Sequence, residues 1–403
     1  METEGIYMIL SERINNIKAS QTLAINAQIL RMKDEGKKII SFGAGEPDFS
    51  TPQNIQKAAI KAIKDGFTHY TTSSGIIELK KAIIKKLKLD NNLNYDVNEI
   101  IISNGAKHSL YNTLMTLCNP GDEVILPTPC WVSYAEQIKL AQAKPIFVKT
   151  NPISQFQVLI KEIEKNITNK TKAILLNSPN NPTGAVYSKE DLQKIGNLLV
   201  KKDIYCISDE VYEKLVYDDS EHVSIASLGS NIKSRVILIN GVSKTYAMTG
   251  WRIGYAAGPK EVIVGMNKLQ GQCTSNANSI AQKASVEALV GNQESIKYMR
   301  NEFDKRRKYI VKELNSINGF SCDLPKGAFY VFPNIKKLLN AGIVFNDMVI
   351  KDSLQLADYI LNKVEVAVVP GSAFESEGYL RLSYATSMQD IEEGMKRLKD
   401  LFN

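Results

Sequence analysis

The chain has 403 residues, of which 44% are hydrophobic and 23% charged, with a formal net charge of +7. That length exceeds one ordinary core and suits two or three lobes, and the composition is that of a soluble globular protein. No apolar run approaches the ~20 residues of a membrane-spanning helix. The lysines are scattered along helical stretches such as Lys80-Lys81 and Lys85-Lys86, as solvated faces are, which argues against a nucleic-acid partner.

The acidic start, Met1–Glu4, lacks the basic and apolar regions of a secretory signal. Residues 53–65 are predicted as a helix with Ala59, Ile60 and Ile63 on one side and Gly66 as its stop, and 76–89 as another. Residues 123–126 and 173–176 are short apolar runs bounded by turn signals, as buried strands are. Ser188 and Asp191 have capping-box spacing and open a helix with Leu192, Ile195 and Leu199 on one face. Residues 203–208, 235–240 and 253–257 complete the strand-like runs. Strands separated by helices predict an α/β fold with a mainly parallel sheet. After about residue 290 the texture changes: a charged helix over 302–314, short strands around 330–332 and 366–369, and a closing helix. That last helix is capped by Ser387 and Asp390 and carries Ile391, Met395, Leu398 and Leu401 at helical spacing. The expected division is a large domain over 51–290 and a smaller α+β domain from 1–50 and 291–403.

The chemistry has a limited choice of residues. Five widely spread cysteines without a CxxC pair argue against zinc and for a reducing, cytoplasmic compartment. Three histidines, His69, His108 and His222, are little material for a triad or metal cluster, so acid–base work falls to Lys, Asp, Tyr or a cofactor. Polar residues follow three strand readings: Asn177 to Gly184 (Asn-Ser-Pro-Asn-Asn-Pro-Thr-Gly), Asp209-Glu-Val-Tyr212, and Lys244 in Gly241-Val-Ser-Lys-Thr-Tyr-Ala-Met-Thr-Gly-Trp-Arg-Ile-Gly254. In a parallel sheet these converge at the carboxyl edge, where open α/β sheets hold ligands. An isolated lysine in a chain with 50 Lys+Arg is a surface residue; an isolated Asp209 is a helix N-cap, and Asn181-Pro182 a turn. Together, an amine that can condense with an aldehyde, a carboxylate and hydrogen-bond donors at Asn181 and Tyr212 suit pyridoxal 5′-phosphate (PLP). Arg252, eight residues after Lys244, is a phosphate anchor. Gly105-Ala-Lys107 precedes a helical run whose free N–H groups suit a phosphate. Trp131 could stack on a cofactor ring or pack in the core. Arg381, in an apolar strand-like run, calls for a buried anionic partner, either a structural carboxylate or that of a substrate.

These motifs resemble class I (fold type I) PLP-dependent aminotransferases, in particular the bacterial aspartate/prephenate subgroup. The resemblance runs from about Ser20 to the C-terminus. Further landmarks are Gly45-Glu-Pro-Asp-Phe49, Tyr70, Gly121-Asp-Glu-Val124, Trp131-Val-Ser-Tyr134, Gly327-Ala-Phe-Tyr330 and Arg381-Leu-Ser-Tyr384. It implies the type I transferase fold and a ping-pong transamination in which Lys244 is both the Schiff-base lysine and the proton shuttle. Asp209 would pair with the pyridinium, Asn181 and Tyr212 would contact the ring oxygen, and Trp131 would stack. Gly105, Ala106, Lys107 and Arg252 would line the phosphate site. Arg381, assisted by Asn181 and Trp131, would take the α-carboxylate, and Gly45 would approach the substrate by backbone. Tyr70 would reach the phosphate of a neighbouring subunit, which implies a homodimer with shared sites. Thr128-Pro129 and Asn181-Pro182 are cis candidates. Lys18 falls where the subgroup places a basic residue for the distal carboxylate of aspartate or prephenate; its bland alternative is a solvated helix-end lysine. Met115 and Cys130 depart from residues found in relatives. The leading expectation is aspartate:2-oxoglutarate transamination in amino-acid biosynthesis, with prephenate as a further substrate. A broad aromatic or alanine aminotransferase is second, a C–S lyase or decarboxylase third, and a PLP-sensing regulatory module a distant alternative.

Overall fold

The apolar runs of the first 290 residues assemble into one seven-stranded sheet. A computed structural model describes residues 10–19, 21–345 and 348–403; Met1–Glu4 lie outside the described residues. The strands are β1 (Ile100–Ser103), β2 (Glu123–Thr128), β3 (Lys144–Lys149), β4 (Thr171–Asn177), β5 (Tyr205–Asp209), β6 (Val236–Gly241) and β7 (Gly254–Ala257), in spatial order β1-β7-β6-β5-β4-β2-β3. All pairings are parallel except those of β7, which runs against both neighbours. Every residue of β1, β6 and β7 is buried. Such continuous apolar runs occur where both faces of a sheet are covered.

Helices α1 (Gln53–Lys64), α2 (Ile77–Asn91), α3 (Ala106–Leu117), α4 (Ser133–Leu140), α5 (Lys189–Lys202), α6 (Lys260–Cys273) and α7 (Ser279–Val290) supply that cover. Successive strand residues point to opposite faces. Thus Ile100 and Ile102 join α2, α5 and α7 in one core, whereas Ile101 joins α3, α4 and α6 in another. Ser188 caps α5 by accepting from the Asp191 N–H. On α1 the predicted face is wrong in part. Ile55, Ala59 and Ala62 are buried, while Ile60 and Ile63 are 51% and 54% exposed. Steps of four and three residues keep 55, 59 and 62 on one stripe; 60 and 63 lie on the adjacent flank.

The later residues build a second core. Helix α8 (Glu294–Leu314) begins eight residues earlier than its charged stretch suggests, because Ile296 and Met299 continue the stripe of Phe303, Ile310 and Leu314. It packs with α9 (Ser353–Val364), α10 (Met388–Phe402) and an antiparallel sheet of β8 (Tyr330–Val331), β9 (Val369–Pro370) and β10 (Leu380–Ser383), ordered β9-β10-β8. Ser387 caps α10 through the Asp390 N–H. Ile40–Ser41 pair in parallel with Val366–Ala367, tying the N-terminal segment to this core. Among the described residues no helix is long and apolar enough to cross a membrane, and the five cysteines are free.

Candidate active site

Three strand ends bring the chemistry together. Asn177 closes β4 opposite Asp209, which closes β5, and Asp209 lies opposite Ile239 of β6. Gly241 ends β6, and Lys244 follows three residues later. The reversed direction of β7 matters as much: its first residue, Gly254, pairs with both Gly241 and Ser103. Arg252, two residues before it, therefore arrives at the same edge as the carboxyl ends of β1, β4, β5 and β6. One cavity here is lined by Gly43, Gly45, Ala106, Lys107, Trp131, Asn181, Asp209, Tyr212, Ser243, Lys244, Arg252, Tyr330 and Arg381, among others.

The Lys244 amine donates to the Gly45 carbonyl at 2.5 Å. Burial lowers its pKa to about 8; Arg252 and Arg381 act in the same direction, while Glu46 and Asp209 oppose them. Asp209 is 4% exposed. Burial raises its carboxyl to about 6 against two hydrogen bonds, from the Tyr134 hydroxyl at 2.7 Å and the Val211 N–H. The next carboxylate, Glu210, accepts instead from Ser208 and Ser224, with His222 Nε2 at 3.0 Å.

The anion cradle has a steric cause. Gly105 has φ +88°, and a Cβ there would stand 2.3 Å from the Arg252 guanidinium. A Cβ on Gly254 would stand 2.1 Å from the Ala106 nitrogen. These two glycines let α3, the arginine and the sheet close on one spot. The first N–H groups of α3 have no intrahelical acceptor, and the helix dipole favours an anion there. The Lys107 ammonium lies over the Trp131 ring at 4.7 Å, and its pKa is lowered by burial and then by Arg252.

Arg381 is 3% exposed. It donates through Nη1 to Asn181 Oδ1 at 3.2 Å and through Nη2 to the Gly43 carbonyl at 2.7 Å, while its Nε has no partner. Among the described residues no carboxylate pairs with it. Asn181 is itself held by its N–H, which donates to Asn177 Oδ1. The Asn181-Pro182 and Thr128-Pro129 bonds are cis, as is Ser178-Pro179, which the sequence reading did not single out.

Residues 37–398 match the aminotransferase class I and II family. The chain belongs to that family. The aspartate/prephenate aminotransferase of Nitrosomonas europaea is 45% identical over 98% of this chain and all of its own length. The aspartate aminotransferase of Bacillus subtilis is 45% identical over 97% of this chain and 98% of its own. Among solved structures, the aspartate aminotransferase of Rhizobium meliloti superposes with a TM-score of 0.94 at 42% identity, covering 98% of both chains. That of Thermus thermophilus with maleate gives 0.92 at 38%, covering 98% and 100%. The fold is thus the type I PLP-dependent transferase fold, and the cofactor of this aminotransferase is pyridoxal 5′-phosphate.

The cavity fits that group: it offers an amine, a buried carboxylate able to face a ring nitrogen, a half-buried indole, and a cradle of N–H groups and guanidinium that a Cβ would fill. Three of the expected residues do not line it: Gly105 packs against Arg252 at its edge, and two others stand elsewhere. Lys18 is exposed and lies in a neighbouring groove shared with Lys107, Trp131 and Glu136, its backbone N–H bonded to Glu136 at 2.9 Å. Tyr70 is 91% exposed and takes no part in this chain's cavity. Sequence reasoning assigned no role to Tyr134, Ser243, Tyr330 or Gly43. Tyr134, Ser243 and Tyr330 lie within the family motifs, but only the fold places them at the cavity.

Proposed function

We propose that this aminotransferase moves the amino group of L-aspartate to 2-oxoglutarate, giving oxaloacetate and L-glutamate, and that it also aminates prephenate to arogenate. The observation that carries the reading is Arg381, a buried guanidinium that no described carboxylate neutralises, facing the same cavity as Lys244. A buried cation without an anion is costly, so the site is built for a partner that arrives with the substrate. Pyridoxal phosphate, when bound, supplies an aldehyde that condenses with amines and a ring that takes up the charge developing at the substrate Cα.

The chain's residues do the rest. Lys244 carries the Cα proton; in the cofactor-free cavity burial lowers its amine to about 8, which favours the free base that the task needs. Asp209, oriented by Tyr134, keeps a negative charge at the ring nitrogen. Asn181 and Tyr212 donate to the ring oxygen, and Trp131 stacks. Ala106 and Lys107 offer N–H groups to the phosphate, with Arg252 and the Ser243 hydroxyl, and Gly105, whose own N–H donates to the Ser103 carbonyl at 2.8 Å, lets Arg252 close on them. Arg381 takes the α-carboxylate, with Asn181 and Trp131 alongside and the Gly45 backbone closing over it. Lys18 meets the distal carboxylate from the adjoining groove. Maleate, which accompanies the Thermus thermophilus relative in its solved structure, is a dicarboxylate and supports that class of ligand.

A broader aromatic specificity is the second reading. An aromatic aminotransferase of Pyrococcus horikoshii superposes with a TM-score of 0.86 at 41% identity over 93% of this chain and 98% of its own. We further propose a cytoplasmic homodimer in which Tyr70 reaches the phosphate site of a second copy. The exposure of Tyr70, Ile60 and Ile63 supports it. The separate cores around the central sheet and around α8–α10 support a large domain over 51–290 and a smaller one from 1–50 and 291–403. Steady-state rates with aspartate, prephenate, tyrosine and alanine test the specificity: tyrosine or alanine outrunning aspartate refutes it. Lys244→Ala should abolish both turnover and the visible band near ~430 nm of the bound cofactor; an unchanged spectrum removes Lys244 from its role.

A further inference from the structure

Tyr330 lies on β8, is fully buried and lines the cavity from the side of the second core. Its hydroxyl is 2.9 Å from that of Tyr212. Its ring lies 4.6 Å from the Arg381 guanidinium, which has the Phe374 ring at 5.1 Å as well. A Cβ on Gly45 would stand 3.3 Å from the same hydroxyl, so the backbone that accepts from Lys244 is packed directly against it. One side chain thus touches the residues assigned to the ring oxygen, the α-carboxylate and the covering segment.

We propose that Tyr330 is a positioning residue: its hydroxyl aims the Tyr212 proton at the cofactor's ring oxygen, while its ring braces Arg381. The proposal rests on the roles of Tyr212 and Arg381 given above. Two hydroxyls in contact share one hydrogen bond, and either can donate. A negatively charged oxygen beside Tyr212 decides the direction, because Tyr212 then gives its proton to that oxygen and accepts from Tyr330. Hydrogen bonds in such a chain polarise one another, and the donor nearest the anion gains strength. The charged groups around the pair are Arg381 from β10, Asp209 from β5 and Lys244 beyond β6; the first two act on Tyr212 in opposite directions. The ring has a separable task. A guanidinium over an aromatic face is held in the plane that a carboxylate fork needs.

The two tasks come apart by substitution in the holoenzyme. Tyr330→Phe keeps the ring and removes the hydroxyl, Tyr330→Leu removes both, and Tyr212→Phe reports the full loss of the donor. The readouts are the pH midpoint of the bound cofactor's visible band without substrate, and kcat and KM for aspartate. Tyr212→Phe should raise the midpoint, since the deprotonated chromophore loses a donor. Tyr330→Phe should raise it less, by about half a unit to one unit, the scale of one ordinary hydrogen bond, with KM within about twofold of the parent. Tyr330→Leu should raise KM about tenfold as well. Tyr212→Phe combined with Tyr330→Phe should match Tyr212→Phe alone, because the second hydroxyl acts only through the first. A shift in Tyr212→Phe with none in Tyr330→Phe, or an additive double variant, overturns the role of Tyr330. No shift in Tyr212→Phe removes the ring-oxygen assignment itself and the proposal with it.

Discussion

Arg381→Leu probes the proposed α-carboxylate role most directly. The guanidinium is buried, holds Asn181 Oδ1 and the Gly43 carbonyl, and leaves Nε without a partner. Removing one member of a buried, hydrogen-bonded charge pair costs about 2–5 kcal/mol. At about 1.4 kcal/mol per factor of ten, kcat/KM for aspartate should fall roughly thirty- to several-thousand-fold. Arg381→Lys keeps the charge but loses the planar fork and should fall less, by about 1.5–3 kcal/mol or roughly ten- to 150-fold. The assay is a single-turnover half-reaction with aspartate beside one with β-alanine, which is aspartate without its α-carboxylate. The bound cofactor's absorbance serves as a check on folding. The β-alanine rate, already lacking the contact, should change by less than about threefold, well inside the loss expected of one hydrogen bond to a charge. Equal losses for both substrates, or a loss under about tenfold for aspartate, would falsify the carboxylate assignment.

Asp209→Asn should change stability with a definite sign. Burial raises the carboxyl from its ordinary value of 3.8 to about 6 in the cofactor-free protein, so the neutral form is favoured in the fold. The advantage of the neutral group is fully present below pH ~4 and lost as pH rises through ~6. A neutral asparagine escapes that loss, so the variant should gain about 3 kcal/mol on the parent above pH ~6 and nothing below pH ~4. Denaturant titrations across that range decide it, and a gain independent of pH refutes the cause. Lys18→Ala should lower kcat/KM for aspartate and prephenate by about 1–2 kcal/mol, roughly five- to thirtyfold, and leave alanine unchanged; untouched dicarboxylate turnover ends the distal-carboxylate assignment. Ile60→Glu with Ile63→Glu places two charges on the exposed flank of α1, where burying each isoleucine is worth about 1.5–3 kcal/mol. Sedimentation should show a monomer; an intact dimer removes that flank from the interface.

Most of the cavity was legible because its chemistry is local. Asn177 to Gly184, Asp209 to Tyr212 and Lys244 each directly follow an apolar run, and the adjacency of β4, β5 and β6 carries those strand ends to one edge. The buried faces of α5 and α10 followed from spacing in the same way. On α1 the spacing allowed two flanks, and only contact with the rest of the fold chose Ile55, Ala59 and Ala62 over Ile60 and Ile63.

Long-range juxtaposition belongs to the tertiary structure. Nothing local in the chain says that β7 runs backwards, yet that reversal delivers Arg252 to Gly105. Tyr134 and Asp209 are 75 residues apart, Tyr212 and Tyr330 118, and Arg381 and Gly43 338. By itself the sequence determined the cofactor class, the amine proposed to react with it and the strand ends that carry them, since neighbouring residues share one local backbone. How the Asp209 charge is held, which rings brace Arg381 and which atoms are left without a partner depend on packing between distant segments, which residue types and spacing do not encode.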